Sequence, residues 1–161
     1  MNTKRLGIFL MVLALSLILA YVDMLIPYNF VIPGIKLGLA NIAILFTLYK
    51  FGSKEAICVS ILRVLIMGVL FNNGITFLYN LCGCLLSLLV MIVSKKLVLF
   101  DECGVCIVGA LAHNLGQLLC AMFILDTSLL WYYLPYLLLS GLLSGFIVGI
   151  ISLIIIKRVN V

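Results

Sequence analysis

Apolar runs long enough to cross a lipid bilayer, separated by breaks of a few polar residues, constrain this chain more than any other feature. From Leu6 to Ile26 one charged residue, Asp23, interrupts 21 otherwise uncharged positions, and roughly 20 apolar residues suffice to cross a hydrocarbon core of about 30 Å. Comparable stretches run from Ala56 to Phe71, Ile75 to Ser94, Val105 to Leu125 and Tyr132 to Ile156, with a shorter one from Leu37 to Tyr49. Backbone groups in lipid have no water to bond, so they must be satisfied within the segment, which selects helices. The pattern therefore predicts an all-α, polytopic membrane bundle of about six transmembrane helices. With 66% hydrophobic and 9% charged residues and a mean hydropathy of +1.42, the chain lacks the polar surface of a water-soluble domain. Its 161 residues leave room for one helical domain, 1–161, and no separate soluble one.

The cations set an expected orientation. Lys4, Arg5, Lys50, Lys54, Lys95, Lys96, Lys157 and Arg158, eight of the ten Lys and Arg residues, all fall on one side if the spans alternate. The positive-inside tendency makes that side cytoplasmic, with both ends of the chain inside. The net charge of +5 is thereby spent on topology; the cations form no basic face of the kind that binds nucleic acid. The first span follows Lys4-Arg5 like a secretory signal, but its length and the lack of a small-x-small cleavage site predict a retained helix. Lys36, in the first outward loop, and Arg63, inside the third span, are the two cations that topology does not explain.

A guanidinium inside a span costs a few kcal/mol unless it faces water, a partner or the bundle interior. Arg63 therefore reads either as half of a structural ion pair, for which Asp23 is the candidate, or as a ligand-binding group whose planar fork matches a carboxylate or phosphate. The short second stretch would cover about 20 Å and is preceded by Pro33, Gly34 and Gly38. Such broken segments line cavities in transporters; an ordinary Pro-Gly turn with Lys36 snorkelling to the interface accounts for it equally well. On the fifth stretch His113 and Gln117 share a helix face with Asn114 beside them, and on the fourth Thr76, Asn80, Gly83 and Ser87 recur at helical spacing. These groups either bond between helices or touch a ligand. Gly141, Gly145 and Gly149 form a ridge on the sixth span, and Ser16 and Ala20 a smaller pair on the first; small residues so spaced let helices approach, within the bundle or against another protein.

Several chemistries are not supported. Cys82 and Cys84 lie at mid-span while Cys103 and Cys106 lie at a span's start, so the pairs sit at different depths and read as apolar packing residues, not as one metal site. Gly141-Leu142-Leu143-Ser144-Gly145 lacks nucleophile-elbow spacing, no phosphate-binding loop is present, and no cofactor is called for. Asp101-Glu102 reads as a solvated pair at a helix start.

The run Pro33-Gly34-Ile35-Lys36-Leu37-Gly38-Leu39-Ala40-Asn41, followed by a short helix, resembles the signature of the family labelled Gx transporter or heptaprenyl diphosphate synthase component I. Arg63 and the Gly/Asn content of the fourth and fifth spans fit the same family. That family in turn is similar to the substrate-binding S-components of energy-coupling factor (ECF) importers, six-helix proteins of the bacterial cytoplasmic membrane with both ends inside. The likeness implies a non-enzymatic capture subunit for a small vitamin-like, anionic or amphipathic molecule, docking on a transmembrane subunit and two ATPases. It implies Lys36, Asn41, Arg63, Asn80, Asn114 and Gln117 as substrate contacts, with His113 between structural and ligand roles, and Ser16 and Ala20 as the docking surface, although no Ala-x-x-x-Ala is present. The synthase label implies the alternative. Catalytic polyprenyl diphosphate synthases hold magnesium and diphosphate on paired Asp-rich motifs, absent here, so the chain would be a non-catalytic membrane partner of a soluble prenyltransferase.

Overall fold

A computed structural model of the chain describes residues 3–26, 37–71 and 73–159. All regular structure among them is helical: α1 (Thr3–Leu25), α2 (Ala40–Lys50), α3 (Ser53–Phe71), α4 (Gly74–Lys96), α5 (Glu102–Leu125) and α6 (Leu134–Arg158), with a 3-10 turn, Leu129–Tyr133, before α6. Four segments, in place of the six expected, are long and apolar enough to cross a membrane: Arg5–Leu25, Gly74–Lys96, Glu102–Leu125 and Leu129–Arg158. The other two fall short for different reasons. At 11 residues, α2 is about 16 Å long, half a hydrocarbon core. α3 has 19 residues but carries Lys54, Glu55 and Arg63. The protein is a multi-pass membrane protein.

The shortfall of α2 makes sense from its surroundings. Every residue from Ala40 to Leu48 is buried, and α2 touches α1, α3, α5 and α6. It is the inner helix of the bundle, surrounded by protein where a spanning helix would meet lipid. Around it α3 packs on α1 and α4, α4 on α5, and α5 on α6. One apolar cluster fixes which ends meet: Ile8 and Val12 of α1, Leu48 of α2, Ala56 of α3, Leu88 and Met91 of α4, Val105 and Cys106 of α5, and Ile156 of α6. These are the ends that carry Arg5, Lys50, Lys54, Lys95, Lys96, Lys157 and Arg158. There Lys95 donates from Nζ to the Leu48 carbonyl and lies 4.7 Å from the centre of the Tyr49 ring, so a cation satisfies an orphan carbonyl at the negative end of α2. Asp101 caps α5 by accepting from the Gly104 amide at 2.8 Å, the helix-start role read from the sequence.

The glycine ridge of α6 packs inside the bundle. A Cβ on Gly145 would sit 2.9 Å from Ile107 Cα, and one on Gly149 would sit 2.8 Å from Cys103 Sγ and 3.1 Å from the Cys103 carbonyl oxygen. Between α4 and α5, a Cβ on Gly116 would meet Gly83 Cα at 2.9 Å. With no gain from excluding water, helices in lipid associate through close contact, and small residues permit it.

Candidate functional site

Toward the end of the bundle away from the cations, packing gives way to a cavity of about 100 Å³. Six helices contribute: Ala20, Asp23 and Met24 from α1, Ala40 and Asn41 from α2, Arg63, Val64 and Met67 from α3, Asn80 from α4, Ala110, His113 and Asn114 from α5, and Ser144 from α6, with Leu37 and Gly38 before α2. Five residues singled out from the sequence, Asn41, Arg63, Asn80, His113 and Asn114, thus line one space. Lys36, together with Pro33, Gly34 and Ile35, lies outside the described residues.

The turn into α2 is held by Asp23. Its Oδ1 accepts from the Leu37 amide at 3.0 Å and its Oδ2 from the Gly38 amide at 2.9 Å. Gly38 has φ +70°, a left-handed conformation that a side chain adopts only under strain. Asp23 is 7% exposed, so the two charge-assisted bonds offset its desolvation. The sequence suggested Asp23 as a partner for Arg63; its bonds to the Leu37 and Gly38 amides fasten the backbone wall of the cavity.

Arg63 is 9% exposed. Its Nη2 donates to Cys84 Sγ at 3.8 Å, a weak acceptor, and among the described residues its buried Nε has no acceptor. Ser60 Oγ and Cys84 Sγ lie 2.8 Å apart beside it. A second, narrower gap continues from the main cavity past Asn41, Arg63, Ser60, Cys84 and His113. The groups that touch the guanidinium here are neutral, its Nε has no acceptor among the described residues, and the Asp23 carboxylate stands in the same cavity wall.

The polar stripes divide between packing and lining. Asn114 donates from Nδ2 to the Leu137 carbonyl at 2.8 Å, tying α5 to α6, and Gln117 Nε2 donates to Asn80 Oδ1 at 3.1 Å, tying α5 to α4. Gln117 is outside the lining and reaches the site through Asn80. Ser87 Oγ bonds within α4 to Met91 Sδ at 3.7 Å. The pair expected to dock a partner faces inward: Ser16 is fully buried and bonds the Leu13 carbonyl at 2.7 Å, and Ala20 lines the cavity. Ser144 and Cys84 were not anticipated. Ser144 was legible only as a member of the glycine ridge, and nothing in the sequence joins Cys84 to a residue 21 positions earlier. Among the described residues no three of His, Cys, Asp and Glu gather as a metal site requires.

Fold and site together define a polytopic membrane protein built around a buried inner helix and a polar cavity with an arginine in its wall. Over residues 12–155 the chain matches the model of the heptaprenyl diphosphate synthase component I family, and it belongs to that family. No curated protein matches it, and no solved structure matches it. The match overturns the importer reading: the chain is assigned to a synthase component family, and neither an ECF capture subunit nor its transmembrane subunit and ATPases finds support. A short inner segment, cations gathered at one end of the bundle and polar residues within apolar runs do not distinguish an importer subunit from a synthase component.

Proposed function

We propose that this chain is the non-catalytic membrane component of a heptaprenyl, or polyprenyl, diphosphate synthase, working beside a soluble prenyltransferase that carries the chemistry. The observation that carries the reading is the family match over residues 12–155. Its five acidic residues, Asp23, Glu55, Asp101, Glu102 and Asp126, supply no Asp-rich pair to hold magnesium and diphosphate, which supports a partner role.

In this reading residues 1–161 form one domain of six helices, the four long ones spanning fully, α2 filling the centre of the bundle and α3 packing beside it. Both ends face the cytosol, where the clustered cations follow the positive-inside tendency and where a soluble partner would meet the protein. The cavity then opens toward the opposite half of the membrane. Asn41, Arg63, Asn80, His113 and Asn114, supported by Gln117 and joined by Lys36 from the loop before α2, form its small-molecule site.

Affinity purification from native membranes tests the assembly. A soluble prenyltransferase should co-purify. Recovery of an ATPase with a second transmembrane subunit, or of no partner at all, would overturn the reading.

A further inference from the structure

We infer that the cavity binds an oxyanion head group, carboxylate or phosphate, carried on a small apolar body, with the Arg63 guanidinium as its principal donor. The inference rests on reading the cavity as a ligand site and is independent of the synthase assembly.

Arg63 is nine-tenths buried with Nε lacking an acceptor among the described residues, while the sulfur that Nη2 meets at 3.8 Å does little to balance a positive charge. Burying an uncompensated guanidinium costs several kcal/mol. Helices that hold one in place imply a compensating anion, and the acidic residue of the lining, Asp23, directs one lone pair of each carboxylate oxygen to the Leu37 and Gly38 amides, so its charge is only partly available to Arg63. An arginine offers Nε and Nη as a parallel pair of donors, which a carboxylate or phosphate accepts in bidentate fashion and a neutral hydroxyl does not. Asn41, 8% exposed, borders both the main cavity and the gap behind Arg63. Part of the wall is apolar, from Ala20, Met24, Val64 and Met67, which gives the body a place beside the polar groups that receive the head.

Size narrows the class further. If one water needs roughly 10–15 Å³ measured this way, a cavity of about 100 Å³ holds a head group and a few carbons. A long polyprenyl chain does not fit inside it. The ligand is a short acid or phosphate ester, or the head of a longer amphiphile whose tail leaves the cavity.

The test uses the full chain in maltoside micelles, with thermal stabilisation and titration calorimetry against butyl phosphate, butanoate, inorganic phosphate and butanol. Butyl phosphate or butanoate should stabilise the protein, and whichever binds more tightly identifies the head group; inorganic phosphate should bind more weakly and butanol not at all. R63Q should weaken binding about tenfold or more. Because R63Q removes a buried charge and can disturb folding, N41D provides the second arm. It places a carboxylate in the same wall as Arg63, and should raise thermal stability while abolishing the response to anions. Butanol binding as well as the acids would overturn the oxyanion class while leaving the cavity a ligand site. Equal affinity for inorganic phosphate and butyl phosphate would overturn the apolar body. Unaltered binding in N41D would overturn the assignment to Arg63. Silence from every probe would overturn the cavity reading as well.

Discussion

The α5–α6 seam and the Arg63 cavity share stretches of α5 and α6, yet the seam is closed and the cavity, which draws on all six helices, is open. Along the seam, Gly145 and Gly149 bring α6 within contact distance of the α5 backbone at Ile107 and Cys103. One turn or more nearer the cavity, Gly141 faces Asn114, where a Cβ would lie 2.8 Å from Nδ2, and Asn114 and Ser144 line the opening. Glycine against backbone leaves no space between helices. At the cavity α5 and α6 are joined instead by a side chain, Asn114 donating to the Leu137 carbonyl, and polar groups face the space beside it.

Substitutions can break this contrast, and the largest effect belongs on the seam. Gly145→Leu forces side-chain atoms into the α5 backbone, which has no flexible end to move aside, and should cost about 3 kcal/mol or more. Thermal unfolding in detergent would show it, with Gly7→Leu, at a position with open space around its would-be Cβ, as the silent control. A Gly145→Leu protein as stable as the parent would mean that the seam is not close-packed.

On the cavity side, Asp23→Asn replaces a charged acceptor of two amides and should cost about 1.5–3 kcal/mol. It should release the wall of the cavity selectively, seen as faster hydrogen exchange at the Leu37 and Gly38 amides with little change along α6. Gly38→Ala tests the same turn through its backbone: at φ +70° the added Cβ should cost about 1–2 kcal/mol, read as a lower Tm. Uniform exchange changes across α5 and α6 in either variant would erase the distinction between the two regions.

The smallest effect concerns Gln117, which bonds Asn80 across α4 and α5 without lining the cavity. Gln117→Leu should cost about 0.6 kcal/mol, the usual size of such a bond between membrane helices, and leave anion binding within about twofold. A larger loss of binding than of stability would move Gln117 from packing into the site.

Arg63 was conspicuous in the sequence because a charge inside an apolar run has no neutral explanation, and Asn80, His113 and Asn114 stood out for the same reason in weaker form, whereas Asn41 entered only through the family resemblance. The glycine ridge was equally visible, though whether it faced inward was not. Ser16 shows where such reading stops. A small residue on an apolar helix marks a place of close approach, but the sequence does not say whether the approaching helix belongs to the same bundle, and here Ser16 is fully buried. The count of spans failed for a related reason: α2 and α3 are apolar helices, but the inner position of α2 is what allows it to be short.

By itself, the sequence determined the solvent, the helical secondary structure, the clustering of cations at one side and the polar residues that lipid would not tolerate, because each follows from local composition and the cost of unsatisfied groups in hydrocarbon. Tertiary structure alone decided that α2 lies inside the bundle, that Asp23 ties down the Gly38 turn, that Ser144 joins Arg63 in the cavity wall and that Cys84 meets Arg63 in the narrower gap. Lipid and protein interior are both apolar, so hydropathy cannot tell a face that meets lipid from one that meets another helix. Only the contacts between segments distant in the chain make that distinction.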